Sequence, residues 1–180
     1  FAIADGTWHI FLILSPTIVD VFASTSLTPT LPSGYTHKRR IGSILREAGS
    51  IVGFNQTGDR FDRKVPVRDV NTNNPGTSAI AATLSVPTGI VVEALIALLA
   101  TASTSTFNGL ATSLSQTDST PSATIMNFHN SNGIGLALTT HHRVPTNTSR
   151  QIRYRISASG ISDNITIHTH GWIDPRGKDA

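Results

Sequence analysis

Apolar and polar residues alternate strictly through Gln151-Ile152-Arg153-Tyr154-Arg155-Ile156-Ser157. No other feature of the chain restricts its fold as tightly. A two-residue period matches the pleat of a β-strand and no helix. Ile152, Tyr154 and Ile156 therefore share one face, and Arg153 and Arg155 share the other. Residues 164–172 repeat the pattern, with Ile165 and Ile167 inward and Thr166, His168, His170 and Trp172 expected on the opposite face. Ser159-Gly160 and Ser162-Asp163-Asn164 supply turn chemistry between the two segments. The pair is expected to form an antiparallel hairpin with one wet or partner-facing side.

Turn signals cut the rest of the chain at strand-like intervals. Residues 8–14 read as a buried strand ended by Ser15-Pro16, with residues 18–22 as its hairpin partner. Pro29 and Pro32 exclude a helix from the Ser/Thr/Pro loop at 24–34. Residues 40–46, 50–56 and 61–67 follow as a meander, separated by Ala48-Gly49 and Thr57-Gly58-Asp59. Asn71-Thr72-Asn73-Asn74-Pro75-Gly76 is the densest cluster of breakers, which predicts a division into a region 1–70 and a region 71–180. Residues 77–86 read as a strand closed by Pro87-Thr88-Gly89. In 89–101, Glu93-Ala94-Leu95 favours helix locally. Ile90, Val91 and Val92 favour a long strand, and a strand is the expectation. The expected fold is all-β: an antiparallel β-sandwich or jelly-roll-like lobe preceded by a smaller β-meander lobe.

Composition narrows the function classes. The 180 residues suffice for one domain, or two small lobes sharing a core. There is no cysteine, so disulfides and thiolate metal sites are excluded. A net charge of +3 with 14% charged residues is a mild basic bias, short of the dense stripe of a nucleic-acid binder. No apolar run reaches the roughly 18 residues of a spanning helix. Neither nucleic-acid binding nor membrane insertion is expected.

Several side-chain groups carry candidate chemistry. Lys38-Arg39-Arg40, with Arg46, has the bidentate donors for phosphate, sulfate or acidic glycan. The alternative is a solvated strand start whose cations pair with Glu47, Asp59 or Asp62. Trp172 offers an apolar ring face for a sugar, with Arg153 and Arg155 as further ligand-binding candidates. Its alternative is cover for the core edge or a subunit contact. His168 and His170 are spaced to project from one side of a strand, with polar surface as the alternative reading. His141 and His142 are adjacent, point opposite ways and read as a strand end. His9 sits within an apolar strand and reads as a satisfied core or interface group. Gly-X-Ser-X-Gly and nucleotide-binding loops are absent. Asp59 and Asp62 could model a glycosidase dyad, but Arg60, Arg63 and Lys64 surround them and hold both ionised. Salt-bridged turn residues are the better account of that pair.

Five blocks carry a family resemblance: Leu31-Pro32-Ser33-Gly34-Tyr35-Thr36-His37-Lys38-Arg39-Arg40-Ile41-Gly42-Ser43, Phe54-Asn55-Gln56-Thr57-Gly58-Asp59, Val67-Arg68-Asp69-Val70-Asn71-Thr72, Leu84-Ser85-Val86-Pro87-Thr88-Gly89 and Gly171-Trp172-Ile173-Asp174-Pro175-Arg176-Gly177. Together they resemble bacteriophage virion structural proteins of the tail-fibre-like, receptor-binding type. The resemblance implies a virion location, a homotrimer, contact with other virion proteins and contact with a host surface polysaccharide. It carries over no catalytic residue and implies no enzyme. Around a threefold axis, His168 and His170 of three chains would present six imidazole nitrogens, a set suited to iron, zinc or nickel. Apart from that metal, no cofactor is expected. The alternatives within the same class are a capsid decoration, collar or other tail-associated cementing protein without glycan binding, and a polysaccharide depolymerase domain.

Overall fold

The computed structural model describes residues 3–102, 106–130 and 136–176. Those residues form β-strands and no helix: β1 (Gly6–Leu14), β2 (Val19–Ser24), β3 (His37–Glu47), β4 (Ser50–Ile51), β5 (Phe54–Thr57), β6 (Arg60–Asn73), β7 (Ile80–Thr83), β8 (Glu93–Ala102), β9 (Phe107–Ser113), β10 (Phe128–Asn130), β11 (Leu136–Pro145), β12 (Gln151–Ile156) and β13 (Asn164–Ile173). They build three antiparallel sheets, in the orders β2-β1-β3-β4, β11-β8-β13-β6-β5 and β10-β9-β12-β7. The all-β expectation holds. Of the ambiguous stretch 89–101, the part from Glu93 onward is the strand β8, while Ile90, Val91 and Val92 lie outside any strand.

The second and third sheets form the sandwich. One core cluster joins Ile96, Leu98, Ile165, Ile167 and Trp172 of the five-stranded sheet to Phe107, Ala111, Ile152, Tyr154 and Ile156 of the four-stranded sheet opposite. Each large aliphatic or aromatic side chain removed from water contributes about 1.5–3 kcal/mol. Within the four-stranded sheet Gly109 pairs with Phe128 of β10, and a Cβ at Gly109 would sit 2.0 Å from that ring. Only glycine lets that ring lie flat on the strand.

The first sheet is tied to the end of this sandwich. Thr7, His9, Phe11 and Ile13 form its buried face. Leu45 of β3 joins the sandwich core. The Thr88 backbone N–H donates to Thr7 Oγ1 at 2.8 Å. Arg40 of β3 grips the buried Asp174 just beyond β13.

Three expectations are corrected. β12 and β13 do not form a hairpin, because they lie in opposite sheets and residues 157–163 cross the sandwich between them. Alternation fixes which face a residue takes but not which strand it pairs with. The stretch 50–56 is two strands: β4 pairs with β3, and β5 pairs with β6, so the chain changes sheets at Val52-Gly53. The division at 70/71 falls inside β6, which pairs with β13 up to Asn73↔Asn164. The asparagines that read as breakers serve as a cross-strand ladder, with Asn164 Nδ2 donating to Asn71 Oδ1 at 3.0 Å and to Asn73 Oδ1 at 2.8 Å.

Candidate functional site

β13 is the central strand of the five-stranded sheet, and its register slips between Thr169 and Gly171 against both neighbours. His170 is the extra residue of that bulge. His168 pairs with Arg68 and with Ala97, whose strand buries the alternate residues Ile96 and Leu98 in the core. One inserted residue inverts the inside–outside order beyond it. Trp172, expected beside the histidines, turns inward and is fully buried. Its indole stacks on Phe61 with centroids 5.4 Å apart and planes 6° apart. No face of it is left for a sugar, so Trp172 is corrected from ligand contact to core. Gly171 makes the bulge possible, since a Cβ would lie 2.1 Å from the Phe61 carbonyl oxygen. Opposite the bulge, residues 63–66 of β6 lie between Asp62, paired with Gly171, and Val67, paired with Thr169. Gly171 and Pro66, both awkward in a regular strand, were the sequence signals of this irregularity.

The bulge borders a cavity of about 620 Å³ on the five-stranded sheet. His141 and Arg143 line it from β11, Leu95 from β8, His170 from β13, and Asp62 and Arg63 from β6. The imidazoles of His141 and His170 are 6.0 Å apart between centroids. Arg60 Nε donates to both Asp62 oxygens at 2.9 Å. Arg143 donates to Glu93 Oε2 at 2.5 Å and 3.0 Å. Arg63 is buried, donating to Glu47 at 2.9 Å and to the Ser85 carbonyl at 3.0 Å. Its buried Nε has no hydrogen-bond partner among the described residues.

Two of the imidazoles here, His170 and His142, resist protonation. Burial pushes the His170 pKa below its ordinary value, the neighbouring His141 and His168 push it further, and Asp62 opposes them. Burial, then His141, lowers His142, whose Nε2 lies 2.8 Å from Thr140 Oγ1. Sequence reading left His141 at a strand end and so missed its approach to His170. That approach requires β8 to lie between β11 and β13, a pairing that no local pattern encodes.

The other candidate residues are engaged elsewhere. Lys38 Nζ donates to the Pro29 carbonyl at 2.6 Å. Arg40 donates twice to Asp174, a carboxylate outside the three expected partners. Arg39 is exposed. Arg153 donates to the Gln116 carbonyl at 2.6 Å and Arg155 to the Thr77 carbonyl at 2.8 Å, and both flank Asp118. Asp59 pairs with Arg176 and Asp62 with Arg60, which agrees with salt-bridged turn chemistry. His9 is buried with Nδ1 2.8 Å from Ser43 Oγ. No group of three His, Cys, Asp or Glu side chains among the described residues is placed to hold a metal ion within one chain. Gly177, the last residue of the C-terminal block, lies outside the described residues.

A second surface stands out. The outer face of the first sheet carries Leu12 and Leu14 of β1 beside Val21 and Val19 of β2, their cross-strand partners. All four are exposed, Val19 at 65% and Val21 at 60%. Ile18 and Ile51 are exposed as well. Comparison of the chain with family models, with curated proteins and with solved structures finds no match.

Proposed function

We propose that this protein is a structural component of a phage particle, which associates with copies of itself through the outer face of its first sheet and contacts a host surface glycan. The observation that carries the reading is the row Leu12, Leu14, Val19 and Val21, exposed on adjacent strands. Contiguous apolar patches on a soluble surface mark association sites. A second copy is the occupant that fits, because the resemblance to tail-fibre-like proteins implies a homotrimer, and closed symmetry gives every chain the same covered surface. The all-β architecture suits the role, since rigid sheets hold their faces in fixed relation.

Two measurements test the reading. Light scattering of the purified chain is expected to give a multimer mass at micromolar concentration; a monomer at about 100 µM contradicts self-association. A glycan array probed with the soluble chain is expected to give binding to surface polysaccharides. Self-association without any glycan signal favours the cementing role instead.

A further inference from the structure

We infer that the cavity between His141 and His170 binds an acidic saccharide, with Arg60, Arg143 and the two imidazoles holding its carboxylate or sulfate groups. The inference rests on the glycan-contact reading above and names the site and ligand class.

The first argument is the state of the charges. Arg60, Arg63 and Arg143 are matched by Asp62, Glu47 and Glu93 respectively, so the pairs cancel. Arg68 of β6, outside the cavity, is the cross-strand partner of His168. Among the residues that line the cavity itself, three are arginines and one, Asp62, is a carboxylate, which leaves the lining with an excess of cations. Arg60 and Arg143 have side chains 54% and 63% exposed. Exposed ion pairs of this kind hold weakly. A carboxylate arriving on the ligand exchanges with Asp62 or Glu93 at little cost, and both guanidinium forks stay bidentate.

The second argument is the fixed position of Arg63. It lines the cavity with its side chain 3% exposed, and the Glu47 carboxylate and the Ser85 carbonyl hold its guanidinium in place. A cation already ordered in the lining favours an anion without further loss of side-chain freedom. The third argument is shape. At about 620 Å³ the cavity lies within the range of small-molecule sites. Its floor includes the buried aliphatics Leu95 and Ile96, and its walls carry ring edges and guanidiniums. A sugar has a C–H face and a polar rim, which meets both.

Protonation couples to such binding. The charged and titratable groups that line the cavity with the imidazoles are Arg143 and His142 on β11 and Arg60, Asp62 and Arg63 on β6, with His168 acting on His170 from β13 and Glu93 paired to Arg143. Burial first, then the neighbouring His141 and His168, lower the His170 pKa in the free protein. An anion in the cavity reverses that bias, so binding takes up protons and strengthens on acidification.

Isothermal titration of the full chain with an oligogalacturonide, beside a neutral oligosaccharide of equal length, tests this. The acidic probe is expected to bind about tenfold more tightly at pH ~5.5 than at pH ~7.5, and the neutral probe far more weakly at both. Arg143→Gln is expected to weaken the acidic probe at both pH values, and the double variant His141→Gln/His170→Gln to remove the pH gain. Because His170 is half-buried, the exposed single variant His141→Gln provides a folded control, with part of the gain lost. Acidic binding that none of these variants alters overturns this site while leaving glycan contact standing. Equal affinity for both probes overturns the ligand class. No binding of either probe, with no signal on the array, overturns the glycan reading itself.

Discussion

Arg40 and Asp174 form a two-pronged ion pair between the first sheet and the end of the sandwich. Nη1 donates to Oδ2 at 2.6 Å and Nη2 to Oδ1 at 2.7 Å. Asp174 has no solvent exposure, and Arg40 also donates to Ser43 at 3.0 Å. A buried charge that loses its partner is costly. Asp174→Ala and Arg40→Ala are each expected to destabilise by about 3–5 kcal/mol in urea unfolding. The double variant is expected to cost less than the sum, because it strands neither charge. Additive losses would show that the two groups act independently.

Trp172 separates packing from hydrogen bonding. Its indole N–H is buried without a partner among the described residues, while its ring stacks on Phe61. Trp172→Phe is therefore expected to cost under about 1.5 kcal/mol, and Trp172→Ala about 3–5 kcal/mol. The adjacent Gly171→Ala is expected to be as damaging as Trp172→Ala, since its Cβ would meet backbone rather than a side chain that can move. Thermal unfolding of the three variants checks the order. A Trp172→Phe loss equal to that of Trp172→Ala would contradict it.

The pH dependence of stability follows from three imidazoles. His9, His142 and His170 all have pKa values lowered on folding, in each case first by burial. For His9, Arg40 adds to the effect and Asp174 opposes it. Below the unfolded-state pKa of about 6.5 the unfolded chain binds more protons than the folded one. Stability is therefore full above pH ~6.5 and falls as the pH drops through the folded-state values. Melting temperature is expected to decline from pH ~7 to pH ~5, and less steeply in His9→Asn, whose amide can still bond Ser43. A flat profile in the wild type would contradict the assignment.

The legible part of the fold was the part written in side-chain parity. Ile152, Tyr154 and Ile156 were read as sharing one face and Ile165 and Ile167 as inward, and all five are buried in the core. His9 was likewise legible, since one polar group within an apolar strand requires a partner. Three things were hidden, each non-local. Partner choice sent β12 and β13 to opposite sheets. A bulge at His170 inverted the order beyond it and moved Trp172 from surface to core. Strand order brought His141 within reach of His170 across β8. The Lys38 to Arg40 block was visible as charge, but its long-range partner Asp174, 134 residues away, was not.

The exposed valines of β2 make the central claim directly measurable. Val19→Asp/Val21→Asp changes only side chains that face solvent in the single chain, so the sandwich is expected to unfold at the wild-type temperature. Sedimentation velocity of this double variant beside the wild type is the deciding measurement. Self-association through the first sheet predicts a wild-type multimer and a folded, monomeric variant. A wild-type monomer, or a variant that remains multimeric, would contradict it.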